Sequence, residues 1–177
     1  MPIAVAVVGG KKSGKTTTIE ILTRKLAEKG YRIAAVKHIS EPDFTIDSEG
    51  KDTWRYAQSG AKLIVGISLE EIATIEKTEC NKTSLEEILQ RCKDSDIVFL
   101  EGFKKIVAKN KDVYKILVAK SAEELEEGLK SFEPILAFTG PYKPKSSKYE
   151  ILYVDVQRNP EVLAELVIKA IMRKTAT

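Results

Sequence analysis

The stretch "VVGGKKSGKTTTIE", Val7 to Glu20, decides how this chain folds. It fills the spacing G-x-x-x-x-G-K-[ST] with Gly9, Gly14, Lys15 and Thr16. The run before it, "PIAVAVVG", reads as a buried strand, and Thr16 to Lys29 reads as a helix with Ile19, Leu22 and Leu26 at helical spacing and Gly30 as its stop. A strand entering and a helix leaving is the context that a phosphate loop requires.

Each residue of the loop has a physical task. Glycines let the backbone curl until several N–H groups face one anion, and the helix behind them adds its positive N-terminal end. Lys15 reaches toward β- and γ-phosphates, and Thr16 sets a hydroxyl where a phosphate-bound Mg²⁺ needs oxygen. Lys11 and Lys12 either add charge to the phosphates or are simply solvated.

Outward from the loop, short β-branched runs alternate with helical segments, the pattern of an α/β sheet with parallel strands. "RIAAVKH", "DIVFLEGF", "VYKILVAK", "PILAFTG" and "ILYVDV" read as strands. "AKLIVGIS" and "EIATIEK" read as two extended runs close enough to pair directly. Helices are expected over Lys51 to Ser59, over "SLEEILQRC" with a Ser84–Glu87 capping box, over Ala122 to Leu129, and from Pro160 to Arg173. The expected fold is a phosphate-loop NTPase-type three-layer sandwich, with a mostly parallel central sheet and an added antiparallel hairpin, built as one domain over residues 1–177.

Bulk composition narrows the function classes. Of the 177 residues 43% are hydrophobic and 31% charged, ordinary for a globular protein, and the net charge of +3 makes no case for nucleic acid. Apolar runs stop short of a membrane span and no leader-like start is visible, so the chain reads as cytoplasmic. His38 is the only histidine, which excludes zinc chemistry built on several imidazoles, and Cys80 and Cys92 lack metal-ligand spacing.

The second half of a phosphate-loop site is an acid at the end of a neighbouring strand, holding the metal directly or through water. Glu101, closing "IVFLE", fits that place. Asp43 and Asp47, in the polar loop "ISEPDFTIDSEG", either sense the γ-phosphate or cap their own backbone. Asp52 is expected to cap the short helix that it opens. Arg55 reads as a solvated helix face or an arginine finger, and Trp54 as a packing anchor. Lys104, Lys105, Lys109 and Lys111 form a basic run that either attracts an anionic partner or is solvated. Base choice does not follow from a motif, because "NKTS" at Asn81 and "NKDV" at Asn110 both lack the aspartate of N-K-x-D and neither follows a strand.

The segment Val36 to Ala61, "VKHISEPDFTIDSEGKDTWRYAQSGA", together with "FLEGFK" at Phe99 to Lys104, resembles the molybdopterin-guanine dinucleotide biosynthesis protein B (MobB) family. The features that match are Lys37-His38, Asp43-Phe44, Asp47, Gly50-Lys51-Asp52, Trp54-Arg55, Gly60-Ala61 and Glu101-Gly102-Phe103-Lys104. The loop after His38 is poorer in histidine than is common in that family, and nothing beyond Val113 matches a motif.

The resemblance implies a homodimer that binds GTP with Mg²⁺ and works beside the guanylyltransferase that joins GMP to molybdopterin, with slow hydrolysis at most. It implies that Gly9, Gly10, Lys11, Lys12, Ser13, Gly14, Lys15, Thr16 and Thr17 hold phosphates. It further implies that Thr16, Asp47 and Glu101 lie near the metal or the γ-phosphate, with Lys15, Asp47 and Glu101 the candidates for catalysis. A small-molecule kinase is the competing reading, weakened by the lack of an arginine-rich lid; a metallochaperone GTPase would need more His or Cys ligands.

Overall fold

The computed structural model describes residues 1–78, 83–144 and 149–175. Cys80, the turn at Asn81 and the centre of the lysine-dotted loop (145–148) lie outside them. In chain order the elements are β1 (Ile3–Gly9), α1 (Lys15–Glu28), β2 (Ile33–Lys37), α2 (Asp52–Gln58), β3 (Leu63–Ile67), β4 (Ile72–Glu76) and α3 (Leu85–Arg91). Then follow β5 (Ile97–Glu101), α4 (Lys104–Val107), β6 (Val113–Val118), α5 (Ala122–Ser131), β7 (Ile135–Thr139) and α6 (Pro160–Thr175). The chain divides into two compact units, Met1–His38 with Ser84–Thr177, and Ile39–Thr83.

The larger unit is built on a five-stranded sheet in the order β2-β5-β1-β6-β7, parallel at every pairing. Side-chain alternation along β1 separates its two faces. Ile3, Val5 and Val7 join Leu22 and Leu26 of α1 and Leu163 and Val167 of α6, while Ala4, Ala6 and Val8 join Ile88 of α3 and Leu125 of α5. A parallel sheet buried on both sides needs near-continuous apolar strands, which is why "IAVAVV" and "IVFL" carry no polar residue. The three-layer arrangement follows from those two cores.

The strand starts are held by polar contacts. Asp96 accepts from the backbone N–H and the guanidinium of Arg32, each at 2.8 Å, and so ties the entry of β5 to that of β2. Lys115 on β6 is fully buried and donates to the carbonyls of Asn110 and Glu133. Helix ends follow local chemistry: Ser84 accepts from the Glu87 N–H while the Glu87 carboxylate accepts from the Ser84 N–H, the expected capping box.

The smaller unit holds α2 and the antiparallel pair β3–β4, in register from Leu63 opposite Glu76 to Ile67 opposite Ile72. These two strands form a sheet of their own, the pairing expected from "AKLIVGIS" and "EIATIEK". Asp52 stands at the first helical position of α2 and not at its cap, which Lys51 occupies without a side-chain bond. An acid one residue inside a helix still favours its positive end. Among the described residues no helix is long and apolar enough to cross a membrane.

One expected strand is absent. "ILYVDV" reaches the sheet only through an isolated parallel bridge from Tyr153 to Phe138. Directly afterwards the N–H groups of Arg158 and Asn159 donate to the Asp155 carbonyl, and this turn ends the extended run before it can pair further. In addition, α4 forms a single turn after Gly102 where the sequence shows no periodicity.

Candidate functional site

At the carboxyl end of β1 the chain curls into the Gly9–Thr17 loop. Gly9 lies so close to β6 that a Cβ there would collide with the Val118 carbonyl oxygen and stand 2.9 Å from Ser13 Oγ. Gly14 holds the N-cap of α1 at φ 102°, a left-handed conformation that glycine adopts without steric cost. Lys12 shares the left-handed region at φ 57°, and backbone strain of this kind gathers at ligand-binding turns. Ser13 is buried, and its Oγ has no partner among the described residues.

Lys15 Nζ donates to the Gly10 carbonyl at 2.6 Å. Burial pulls its ammonium below the usual lysine range; Glu101 opposes that lowering, and Lys104 and Lys37 add to it. A partly buried ammonium beside two further lysines and a single strand-end carboxylate suits a polyphosphate. Lys11 is exposed, and its carbonyl accepts from Lys120 Nζ at 3.1 Å; Lys120 also pairs with Glu124 at 3.2 Å. The loop is therefore braced from the turn between β6 and α5. Thr17 is exposed, and Thr18 closes the first turn by donating to the Gly14 carbonyl at 2.9 Å.

Thr16 and Glu101 meet at the other side of the loop. The hydroxyl lies 3.3 Å from Oε1 and 3.2 Å from Oε2 of Glu101, which ends β5. Lys37 Nζ, from the end of β2, stands 3.9 Å from the same carboxylate. A hydroxyl and a carboxylate converging beside a phosphate loop form an oxygen donor pair, which suits a hard cation such as Mg²⁺ that takes its remaining ligands from water and phosphate. No group of three or more His, Cys, Asp or Glu side chains able to hold a metal occurs among the described residues. A metal here would thus depend on the nucleotide for its other ligands.

Asp47 belongs to the smaller unit, where Oδ1 accepts from the Ser48 N–H and the Thr53 hydroxyl, both at 2.9 Å, and Oδ2 is buried without a partner among the described residues. Asp43 sits at φ 60°, the conformation of a turn-forming acid. Arg55 pairs with Asp52 along α2 at 3.5 Å and is largely exposed, as a solvated helix face would be. Lys104 and Lys105 fall in α4, and Lys109 Nζ donates to the Lys130 carbonyl at 3.2 Å. His38 meets Phe103 edge-on with ring centroids 5.5 Å apart.

Sequence reasoning missed a cleft on the far side of the loop from Glu101. It has a volume of about 290 Å³ and is walled by Ser13, Thr17, Thr139, Gly140, Tyr153 and Asp155 among others. The available signal was "ILYVD", an apolar run closed by an acid, the same form that drew notice to "IVFLE".

Residues 4–139 match the family described as "Molybdopterin guanine dinucleotide synthesis protein B", MobB. The chain is 37% identical over 123 residues to the "Putative molybdopterin-guanine dinucleotide biosynthesis adapter protein" of Methanocaldococcus jannaschii, a match covering 67% of this chain and 48% of that one, so it spans about half of that relative. It is 27% identical over 160 residues to the "Molybdopterin-guanine dinucleotide biosynthesis adapter protein" of Haemophilus influenzae, covering 89% and 84% of the two chains. The crystal structure of a "molybdopterin-guanine biosynthesis protein B (mobB)" superimposes with a TM-score of 0.71 at 26% identity, covering 96% of this chain and 99% of that one. With the phosphate loop, the parallel sheet and a match over most of its length, this chain belongs to the MobB family.

Proposed function

We propose that this chain is the GTP-binding adapter of molybdopterin guanine dinucleotide synthesis, working beside the guanylyltransferase that attaches GMP to molybdopterin. The observation that carries the reading is the convergence of Thr16 and Glu101 beside a loop whose lysine is partly buried and whose Ser13 hydroxyl has no partner among the described residues. In this reading the loop amides and Lys15 bind the phosphates, Thr16 would hold Mg²⁺ directly, and Glu101 would hold it through water. The ion, when bound, neutralises charge on the β- and γ-oxygens. Asp47 is retained as a catalytic candidate of the smaller unit on the strength of its unpartnered Oδ2. Hydrolysis, in this reading, is slow.

The homodimer belongs to the same proposal. Leu63, Val65 and Ile67 alternate along β3 with their side chains exposed, on a sheet of two strands among the described residues. Isolated two-stranded sheets are marginal in water, and a second copy covering this apolar row would stabilise both. The site of action is the cytoplasm, where nucleotide and transferase are both at hand.

Calorimetry with GTP and ATP in Mg²⁺, with and without molybdopterin-loaded guanylyltransferase, tests the proposal. GTP preference with tighter binding in the presence of the transferase is the expected result. ATP preference, with no response to the transferase, would overturn it in favour of a small-molecule kinase.

A further inference from the structure

The cleft beside the phosphate loop has a position that the sheet order explains. Glu101 ends β5 on one side of β1, whereas Thr139 ends β7 on the other, beyond β6. A nucleotide with its terminal phosphate near Thr16 and Glu101 must extend its nucleoside away from them across the loop. That direction leads to the β6–β7 side, where Thr17 and Gly14 form one wall of the cleft and Thr139, Gly140, Tyr153 and Asp155 form the other. At about 290 Å³ the space lies at the lower end of small-ligand sites.

From this arrangement we infer that the cleft is the base subsite and that Asp155 selects guanine. The inference rests on the nucleotide-binding reading above and adds the residue that reads the base. Asp155 is the one acid among the described residues that line the cleft. Its carboxylate is partly exposed and held in place by the turn it starts, with Oδ1 accepting from the Arg158 N–H at 3.2 Å and Oδ2 standing 3.7 Å from Arg158 Nε. Tyr153 donates to the Gly140 carbonyl at 3.4 Å, and the buried Thr139 Oγ1 accepts from the Val156 N–H at 3.4 Å, so the two segments that form the wall with Asp155 are fixed to each other. A carboxylate presents acceptors only. Guanine offers it two donors side by side, N1–H and the N2 amine, whereas adenine turns an unprotonated N1 toward it. The same wall carries Lys143 and Arg158, cations suited to the guanine O6 acceptor. The selector therefore comes from the segment before α6, which explains why no N-K-x-D follows a strand in this chain.

The test compares GTP, ITP, XTP and ATP binding by calorimetry, in Mg²⁺, for the parent and for Asp155→Asn. ITP lacks the N2 amine, so the parent should bind it about tenfold more weakly than GTP, and ATP at least as weakly, by the loss of one or both bonds to the acid. An asparagine offers one donor and one acceptor, which match the O2 and N1–H of xanthine, so Asp155→Asn should lose about tenfold or more in GTP affinity and gain XTP. Because that change creates a new preference, a merely damaged fold does not imitate it, and the parent's GTP-to-ITP ratio needs no mutation at all. A parent that binds GTP but holds ITP and ATP equally well overturns the inference alone. So does Asp155→Asn with parental GTP affinity and no gain of XTP. A parent that binds none of the four overturns the nucleotide-binding reading, and the inference with it.

Discussion

The Thr16 hydroxyl stands within 3.3 Å of both carboxylate oxygens of Glu101, 85 residues further along the chain. Parallel pairing of β1 with β5, with Val7 beside Glu101, brings them there. The amide in Glu101→Gln keeps the size and one acceptor but removes the charge that would orient a metal-bound water. GTP affinity should change little, while Mg²⁺-dependent turnover should fall on the order of a hundredfold. Parallel loss of binding and turnover would instead place Glu101 directly on the metal during binding.

Lys15→Ala removes the cation that folds back onto the loop's own Gly10 carbonyl. A charge-assisted contact to phosphate is among the stronger hydrogen bonds, and its loss should weaken GTP binding by about a hundredfold. Thermal unfolding without nucleotide should shift little, because partial burial and the like charges of Lys104 and Lys37 offset what the ammonium gains from Glu101. Equal GTP affinity in the variant and the parent would remove the basis for a phosphate site here.

Those residues were legible because their chemistry is local. Gly9 through Thr16 announce a curled backbone before a helix, Gly30 announces a stop, and Ser84 with Glu87 announces a start, all within a few residues. Glu101 could be read as a strand-end acid, but its meeting with Thr16 depends on strand order, which no short stretch encodes. Asp155 was hidden for a related reason. "ILYVDV" has the composition of a strand, and the Asp155 turn, closed by the Arg158 and Asn159 amides, overrides that propensity and presents the acid at a cleft. Asp52 was misplaced by one residue, the usual uncertainty at a helix end.

Lys115 shows how the sheet tolerates a charge in its interior. The ammonium is fully buried, donates to the Asn110 and Glu133 carbonyls, and is pulled down by burial to about 8. Lys115→Met keeps much of the volume but leaves both carbonyls without that donor. Relief from the buried charge offsets part of the loss, so the net destabilisation should be about 1–3 kcal/mol by urea unfolding. Unchanged stability would mean that other donors or water take over both carbonyls in the variant.

Arg32 and Asp96 supply a test by acid. The Arg32 side chain and its backbone N–H, both donating to the carboxylate, hold Asp96 down to about 2 from an ordinary 3.8. An acid depressed on folding binds its proton more readily when unfolded, so its contribution is complete above 3.8 and is lost as pH falls through about 2. The pair is largely solvent-exposed, and its effect near neutral pH is therefore small. Asp96→Asn cannot titrate there. The parent's melting temperature should consequently fall more steeply than the variant's between pH 3.8 and about 2, with the two curves approaching each other at the acid end. Parallel curves throughout that window would show that the contact persists equally well when Asp96 is neutral, and that the β2–β5 entry is held by the backbone bonds from Asp96 and Ile97 to the Arg32 carbonyl alone.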